Sequence, residues 1–292
     1  MAFPSEIAAF THVKELGDGG GGSVHSCVTK DGGQPYAIKI IPLCDTCEKH
    51  VFFETRSLFL IHPNILRCYK AWVEKSAPDF APTTLLTRIH KDYDFEKCGE
   101  TPTHFLYLLM EECEGNLASL HLKKNFDVQS IFIDCLKGLE YIHSKNLVHG
   151  DISTNNIFVD IYGTAKLGDF GCVSDEGIPH PIGGVSLYHA PELEDVVDKW
   201  LREGTPIDEQ VCVVTKASDL YALALAMIEL MYPMSTNMER DPFLMSIKST
   251  KDFPDQGRVS RFCISQLEVM LSDDPKCRTD AKSIRMEMET MH

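Results

Sequence analysis

The feature that most constrains the fold of this sequence is a change of character near Cys113. Before that residue, short runs rich in β-branched and aromatic side chains are separated by glycine-rich turns. After it, apolar residues recur at helical spacing. The patterns predict strands at Thr11–Leu16, Ser23–Thr29, Tyr36–Ile41, Ile65–Val73 and His104–Met110, and helices at Cys47–Ile61, Ser130–Lys145, Thr215–Met231, Ser260–Ser272 and Asp280–Met291. Segregated strands and helices permit an α+β fold, with a boundary near Cys113 that divides residues 1–113 from 114–292 and with residues 74–103 as an inserted loop.

Composition excludes several classes of function. The formal net charge of -15 works against binding to nucleic acid or to an anionic membrane surface. The longest apolar run, Leu220–Met231, is too short to span a bilayer. An odd count of 11 cysteines with no secretory signal favours reduced thiols and a cytoplasmic location, with the nucleus not excluded. Cys44 and Cys47 form one C-x-x-C pair, which without a second pair is more typical of a turn than of a zinc site.

The segment Gly17–Val24 reads G-x-G-x-x-G-x-V and falls between two predicted strands. Glycines in such a loop let backbone amides approach phosphate oxygens, although a glycine cluster alone is more typical of a flexible turn. On the next strand, Lys39 ends a Tyr-Ala-Ile-Lys run. An ammonium there can reach the α- and β-phosphates of a nucleotide if a carboxylate holds it in place. Glu54 on the following predicted helix is our candidate for that carboxylate.

A second group of polar residues follows a predicted helix. His149–Asn156 reads HGDISTNN, and Asp169-Phe170-Gly171 comes after two short strand-like runs. Asp151 can accept the proton of a substrate hydroxyl, while Asn156 and Asp169 offer the hard oxygen ligands that magnesium prefers. Acidic groups beside an apolar run can also cap turns, but their order after the glycine loop and the lysine favours phosphoryl chemistry.

Three residues further along the chain indicate structural support for this chemistry. Ala190-Pro191-Glu192 has the spacing that closes an activation segment, and Glu192 then needs a buried cation, for which Arg278 is the candidate. Asp219, at the start of an apolar helix, is expected to accept hydrogen bonds from backbone amides of the catalytic loop.

In this order the motifs resemble those of the protein kinase family over nearly the whole chain. The resemblance implies a bilobal α+β kinase fold, with a five-stranded antiparallel N-lobe and a mainly helical C-lobe, and it implies ATP and Mg²⁺ as cofactors. It also implies the role of each site residue. The catalytic residues are Asp151, Lys39 and Glu54; the ATP-binding residues are Gly17, Gly19, Gly22, Val24, Ala37, Lys39, Met110, Glu111 and Cys113; the metal ligands are Asn156 and Asp169; and the structural or regulatory residues are His149, Phe170, Gly171, Glu192, Asp219 and Arg278.

A finer resemblance is to the eukaryotic initiation factor 2-alpha kinases. The segments His62–Glu74 and Glu229–Arg240 are similar to stretches characteristic of that group, as is the position of the insert. Wee-type kinases share the Ala71-Trp72 pair, but the second segment favours the initiation-factor group. The resemblance implies the alpha subunit of initiation factor 2 as the protein substrate, docking near residues 241–249, and a homodimer formed through the N-lobe.

The catalytic loop departs from the usual H-R-D-x-K-P-x-N. Gly150 replaces an arginine that ordinarily pairs with a phosphate on the activation segment, so activation is expected not to depend on that switch. Ser153 replaces a lysine that ordinarily touches the γ-phosphate, and Thr154 replaces the proline. Loss of the lysine is expected to slow the chemistry by about 10²-fold or more if no other donor takes its place. Val185 stands where serine/threonine kinases usually carry a threonine bonded to that lysine.

Two main hypotheses follow. The first is an active serine/threonine kinase that phosphorylates the alpha subunit of initiation factor 2 and so regulates translation, favoured by the presence of Lys39, Asp151, Asn156 and Asp169. The second is a catalytically weak or inactive kinase-like scaffold that holds ATP. A Wee-type cell-cycle kinase is a further alternative.

Overall fold

Five antiparallel strands build the first unit of the chain, residues 1–61 and 66–113, in the order β1-β2-β3-β5-β4. The structure is a computed structural model that describes residues 5–19, 22–43, 52, 54–75, 102, 104–181, 184–205, 210–254 and 261–290. The strands are β1 (Phe10–Gly19), β2 (Gly22–Thr29), β3 (Pro35–Leu43), β4 (Cys68–Glu74) and β5 (His104–Glu111).

The register of this sheet places four predicted ATP-binding residues on one face. Val24 on β2 is directly opposite Lys39 on β3, and Ala37 on β3 is opposite Met110 on β5. Opposed residues share a face, and so do residues two apart on one strand. The same face carries an apolar cluster of Ile41, Leu43, Leu106 and Leu108 with Cys68. The side chains beside Lys39 therefore lie on a packed, rigid surface.

The second unit, residues 62–65 and 114–292, is mainly helical. In the described part it contains α1 (Leu117–Leu120), α2 (Val128–Ser144), α3 (Pro191–Glu203), α4 (Lys216–Met231), α5 (Asn237–Thr250), α6 (Arg261–Met270) and α7 (Ala281–Thr290). Short strands connect them, namely β6 (Gly115–Asn116), β7 (Leu147–Val148), β8 (Ile157–Val159), β9 (Ala165–Leu167), β10 (Ser174–Asp175), β11 (His180–Pro181) and β12 (Val211–Cys212).

Helix α4 is the centre of this unit. Every residue from Ser218 to Met231 is buried, and a capping box at Thr215 and Ser218 begins the helix. A helix that is apolar on all sides must be surrounded by other elements. Residues placed along α4 are therefore fixed reference points for the loops that pack on it.

The predicted α+β class, with a five-stranded antiparallel sheet and a helical remainder, is confirmed. The helix predicted over Cys47–Ile61 was wrong in its second half, where Arg56–Phe59 forms a 3₁₀ helix. There the Ser57 hydroxyl donates to the Glu54 carbonyl and competes with the helical pattern. Residues 44–51 and 53, including Cys44 and Cys47, and most of the predicted insert lie outside the described residues.

The fourth strand begins later than predicted, at Cys68 instead of Ile65. Ile65 instead forms a parallel bridge with Leu167, and Asn64 Nδ2 donates to the Ala165 carbonyl at 3.0 Å. The ribbon of β11 and β12 was not predicted from the sequence, and neither was helix α3. Within the described residues, no helix combines the length and the hydropathy needed to cross a bilayer.

Candidate active site

Lys39 and Glu54 form an ion pair in the first unit. Lys39 Nζ lies 3.0 Å from Glu54 Oε1 and 3.2 Å from Oε2. The two side chains are only 12% and 11% exposed, so water screens their attraction less than it does on an open surface. The carboxylate therefore holds the ammonium in one place on the face of the sheet, and Glu54 lies two residues before the 3₁₀ helix Arg56–Phe59.

The glycine-rich hairpin connects β1 to β2. Gly17 is opposite Val24, and Gly19 is opposite Gly22. A Cβ at Gly22 would lie 2.1 Å from the Ile40 carbonyl oxygen, so no other residue fits there, whereas a Cβ at Gly17 would meet nothing within 4 Å. Close packing against β3 thus fixes the base of the hairpin, and Gly17 leaves open space above the backbone.

The predicted ATP-binding residues Glu111 and Cys113 lie at the end of β5 and two residues beyond it. The Glu111 side chain accepts a hydrogen bond from the Arg67 amide at 2.6 Å, and the Glu111 amide donates to the Arg67 carbonyl at 3.0 Å. The Ser26 hydroxyl donates to Glu112 at 2.6 Å. Both carboxylates are therefore held by the sheet, while Cys113, which is half-buried, ends the first unit.

The catalytic loop of the second unit brings Asp151 and Asn156 together. Asn156 Nδ2 donates to Asp151 Oδ2 at 2.8 Å and to the Asp151 carbonyl at 2.9 Å. These bonds point the side-chain nitrogen of Asn156 toward Asp151, so the side-chain oxygen of Asn156 faces away from Asp151. The arrangement therefore fixes the Asp151 carboxylate and presents an oxygen ligand from Asn156 at the same time.

Asp219 anchors the start of this loop. Its carboxylate accepts hydrogen bonds from the amides of His149 at 2.8 Å and Gly150 at 2.9 Å. It also lies 2.9 Å from Nε2 of His143, a partner that the sequence analysis did not identify. Because Asp219 lies in the first turn of α4, the loop is attached to the most buried helix of the unit.

His149 is fully buried in a neutral form. Its Nδ1 accepts a hydrogen bond from the Asp151 amide at 3.3 Å, so the proton is on Nε2, which donates to the Gly168 carbonyl at 3.0 Å. Burial lowers the pKa of His149, and the nearby carboxylates of Asp219 and Asp169 oppose this effect only in part. The neutral ring thus connects the catalytic loop to the residue that precedes Asp169.

We expect the protein to lose stability as the pH falls below about 6.5. Burial lowers the pKa of His25, His62 and His149 below their usual value of 6.5, so the unfolded chain takes up protons before the folded one does. The stability is fully present above pH 6.5 and falls by at most about 1.4 kcal/mol per pH unit for each histidine. Urea unfolding between pH 5 and 8 measures this slope. His149→Phe should make it shallower, and an unchanged slope would contradict the assignment.

Gly150 adopts a conformation that suits glycine. Its φ is +76°, and a Cβ there would lie 2.9 Å from the Cys172 carbonyl oxygen. A side chain at this position therefore adds backbone strain and a close contact.

Gly150→Ala should lower the free energy of unfolding by about 2 kcal/mol. Gly163→Ala is the matched control, since Gly163 has a φ of +87° with nothing within 4 Å of a built Cβ. The control should cost only about 1 kcal/mol. Chemical denaturation of both variants gives the comparison, and equal losses would show that the contact with Cys172 adds nothing.

Asp169 has a φ of +58°, an uncommon conformation for a residue other than glycine. Phe170 beside it is buried, and its ring centroid lies 5.1 Å from that of His149. Gly171 continues the short 3₁₀ helix that begins at Phe170. The buried phenylalanine thus holds the turn, while the Asp169 side chain is exposed to solvent.

Asn156 and Asp169 are the predicted metal ligands. The described residues contain no group of three or more His, Cys, Asp or Glu side chains placed to hold a metal ion. Magnesium usually keeps several waters and takes one or two protein oxygens together with substrate phosphates. An amide oxygen from Asn156 and a carboxylate from Asp169 are a donor set of this kind.

Glu192 and Arg278 form a two-pronged ion pair. Arg278 Nη1 lies 2.7 Å from Glu192 Oε1, and Nη2 lies 2.8 Å from Oε2. The guanidinium is fully buried and also donates to the carbonyls of Ser272 and Ala217. This pair attaches the start of α3 to the segment that precedes α7.

Sequence reasoning missed a buried network beneath the predicted activation segment, residues 169–192. The Tyr188 hydroxyl donates to Glu229, and Thr154 Oγ1 lies 3.2 Å from each of them. Burial raises the pKa of Tyr188, and the Glu229 carboxylate adds to the effect. A signal was available, since a carboxylate within the apolar run Leu220–Met231 of α4 needs a partner. The network joins the catalytic loop, the activation segment and α4.

The atypical residues of the loop have distinct environments. Ser153 is 1% exposed, and within the described ranges its hydroxyl makes no hydrogen bond. Val185 is 42% exposed and directly precedes the 3₁₀ turn Ser186–Tyr188. Neither residue supplies a charge to the loop.

Comparison with known proteins identifies a family. The sequence model of the protein kinase domain matches residues 10–288. The eIF-2-alpha kinase GCN2 of Arabidopsis thaliana is 28% identical over 337 residues, covering 97% of this chain and 25% of that protein. The interferon-induced, double-stranded RNA-activated protein kinase of Rattus norvegicus is 28% identical over 295 residues, which cover 94% of this chain and 50% of that protein.

A third relative belongs to another group. The membrane-associated tyrosine- and threonine-specific cdc2-inhibitory kinase wee-1.3 of Caenorhabditis elegans is 24% identical over 282 residues, covering 92% of this chain and 35% of that protein. The chain thus spans between a quarter and a half of the length of these relatives.

Proposed function

The chain belongs to the protein kinase family, and we propose that it is a serine/threonine kinase that phosphorylates the alpha subunit of initiation factor 2 with ATP and magnesium. In this proposal residues 1–113 are the kinase N-lobe, residues 114–292 are the C-lobe, and residues 74–103 are an insert between the fourth and fifth strands. A protein kinase domain uses ATP and a divalent metal in general, and the choice of magnesium rests on the oxygen ligands described above.

The hydrogen bond between Asn156 and Asp151 is the observation that carries the enzymatic part of the proposal. A general base must be held in one orientation to meet the hydroxyl proton. Asn156 Nδ2 donates to Asp151 Oδ2 at 2.8 Å. The other carboxylate oxygen, Oδ1, lies close to Gly184, since a Cβ built on that glycine would be 2.6 Å from it. The Asp151 carboxylate is therefore held in one orientation, as acceptance of a hydroxyl proton requires.

The proposed mechanism divides the work among a few groups. Asp151 accepts the proton of the substrate hydroxyl, and Lys39, held by Glu54, binds the α- and β-phosphates. Asn156 and Asp169 would hold a magnesium ion, which would neutralise charge on the phosphates. Backbone amides of the glycine hairpin bind phosphate oxygens, and the strand that ends in Met110 and Glu111 contacts the adenine.

The substrate is proposed from two observations. One relative is an eIF-2-alpha kinase, and another is an interferon-induced, double-stranded RNA-activated protein kinase. Helix α5 also contains the proposed docking stretch, residues 241–249, and exposes 88% of Met238 and 51% of Met245 seven residues apart. Residues at this spacing lie on one face of a helix. An exposed pair of methionines suits contact with a protein surface.

A weak or inactive kinase-like scaffold is the second candidate. It is favoured by Ser153, whose buried hydroxyl cannot replace a lysine charge, and by the absence of a guanidinium at Gly150. Such a protein would bind Mg-ATP and show thermal stabilisation by it without turnover. A Wee-type kinase, suggested by the resemblance to wee-1.3, would instead label a cyclin-dependent kinase on tyrosine or threonine.

The deciding experiment is transfer of labelled phosphate to purified initiation factor 2 alpha subunit. We expect label on the subunit with wild-type protein and none above background with Asp169→Asn. A cyclin-dependent kinase and a general protein substrate are run beside it, and phosphoamino acid analysis reports serine, threonine or tyrosine. No label on any of these or on the protein itself, together with a melting temperature raised by Mg-ATP, would replace the proposal with the scaffold.

A further inference from the structure

Lys248 on α5 is a buried ammonium that the proposed chemistry does not use. Its side chain is only 6% exposed. Nζ donates to the carbonyls of Leu187 at 3.3 Å and His189 at 2.9 Å, and it contacts a carboxylate oxygen of Glu194. An ammonium has three N–H donors, and a buried charge is stable only when its partners surround it. Three acceptors are present for three donors, so this site is built for the ammonium.

The acceptors of Lys248 surround Tyr188. The two carbonyls belong to the residues directly before and after it, and Glu194 lies in the first turn of α3. On its other side, the Tyr188 hydroxyl donates to Glu229, and Thr154 Oγ1 lies 3.2 Å from both. Thr154 is part of the catalytic loop. These polar contacts, together with the backbone of residues 187–189, connect α5 to the loop that carries Asp151.

We propose that Lys248 and Thr154 are positioning residues for phosphoryl transfer. Lys248 fixes the end of the activation segment to α5, and Thr154 attaches that segment, through Tyr188 and Glu229, to the catalytic loop. This inference rests on the proposed kinase function and adds to it a physical connection between the docking helix and Asp151. It also identifies internal groups that hold the segment without a phosphate.

The two faces of α5 support this connection. Leu244, Ile247 and Lys248 are buried on the inner face, whereas Met238 and Met245 are exposed on the outer face. A protein that binds the outer face therefore acts on a helix whose inner face holds the activation segment. The orientation of Asp151 depends on the same contacts, since Thr154 lies three residues after it.

Replacement of Lys248 by methionine tests the role of the ammonium, because methionine keeps much of the apolar stem and removes the charge. We expect kcat to fall by about 10²-fold, the effect of displacing a catalytic group by roughly 1 Å. The KM for Mg-ATP should stay unchanged, because no nucleotide contact is lost. Lys248→Arg should recover part of kcat, since it keeps the charge but presents its donors in a planar fork.

Two further variants separate positioning from folding. Lys199→Met removes the same charge from an exposed position on α3 and should leave both constants unchanged. Lys248→Met leaves the Glu194 carboxylate without its ammonium partner. The double variant Lys248→Met with Glu194→Gln removes that charge and so protects the fold. It does not restore the hydrogen bonds to the carbonyls of Leu187 and His189. Thr154→Val keeps the shape of the side chain and should lower kcat at constant KM.

The inference is overturned if Lys248→Met, alone or with Glu194→Gln, retains the wild-type kcat, or if kcat and Mg-ATP affinity fall together in both. Should wild-type protein transfer no phosphate, the proposed function fails, and hydrogen exchange decides this inference separately. The amides of Tyr188 and His189, which bond to the carbonyls of Val185 and Ser186, should exchange faster in Lys248→Met than in wild type or Lys199→Met. Equal exchange in all three would reject the positioning role.

Discussion

Replacement of Asp151 by asparagine lowers phosphoryl transfer by about 10²- to 10⁴-fold, the usual contribution of a general base. Asparagine has nearly the same shape, and its side-chain oxygen can still accept the hydrogen bond that Asn156 Nδ2 now donates to Asp151 Oδ2 at 2.8 Å. The loop therefore keeps its geometry. Only the ability to take the hydroxyl proton is lost, so the change isolates the proposed chemistry from the fold.

The controls for this variant measure binding and charge. Calorimetric titration with Mg-ATP should give the wild-type affinity, because Lys39 and the proposed metal ligands are unchanged. Asp198→Asn removes one carboxylate from the exposed face of α3 and should leave the rate unchanged. Transfer by Asp151→Asn at the wild-type rate would show that another group accepts the proton, and a lost affinity for Mg-ATP would show that the change does more than remove a base.

Local sequence patterns were sufficient to predict the class of the fold and several pairs of site residues. The runs around Lys39 are short, rich in β-forming residues and separated by glycine, which favours a sheet, and the long apolar run Leu220–Met231 favours a buried helix. Arg278 is the predicted partner of Glu192, which needs a buried cation, and the structure places Arg278 Nη1 2.7 Å from Glu192 Oε1 with the arginine side chain fully buried. A partner can be predicted from the sequence where the charge of one residue requires an opposite charge beside it.

Other parts of the site depend on tertiary contacts that sequence spacing does not report. Lys248 follows Leu244 by four residues, and from the pattern alone it is one more charge at the end of a helix. Its partners are two backbone carbonyls, which carry no sequence signal at all. Thr154 was read as the loss of a proline, whereas the structure shows a hydroxyl that contacts Tyr188 and Glu229.

The error in the helix predicted over Cys47–Ile61 has a similar cause. The apolar spacing there fits a helix, but hydroxyl groups at Thr55 and Ser57 donate to the carbonyls of Phe52 and Glu54. These local bonds compete with the α-helical ladder and favour a tighter 3₁₀ turn. Periodicity describes which side chains are buried, and it cannot distinguish these two ways of closing a turn.

Ser153→Lys should raise the rate of phosphoryl transfer by about 10²-fold, because a positive charge is returned to the place where negative charge is transferred. The Ser153 hydroxyl is buried and makes no hydrogen bond within the described part of the chain, so removing it costs no contact seen there. Ser153→Met is the matched control, since it adds a chain of similar volume without the charge. A gain in the lysine variant that the methionine variant lacks would assign the effect to the ammonium.

Val185→Thr provides the second half of this test. A threonine at that position is expected to accept a hydrogen bond from the new ammonium, so the two changes together should give a larger gain than the product of the single effects. Val185→Thr alone should change the rate of phosphoryl transfer little, because the serine at position 153 has no ammonium for the threonine hydroxyl to bind. If Ser153→Lys leaves the rate unchanged although the protein is folded and binds Mg-ATP, another cation already acts on the γ-phosphate, and the serine is not what limits the chemistry.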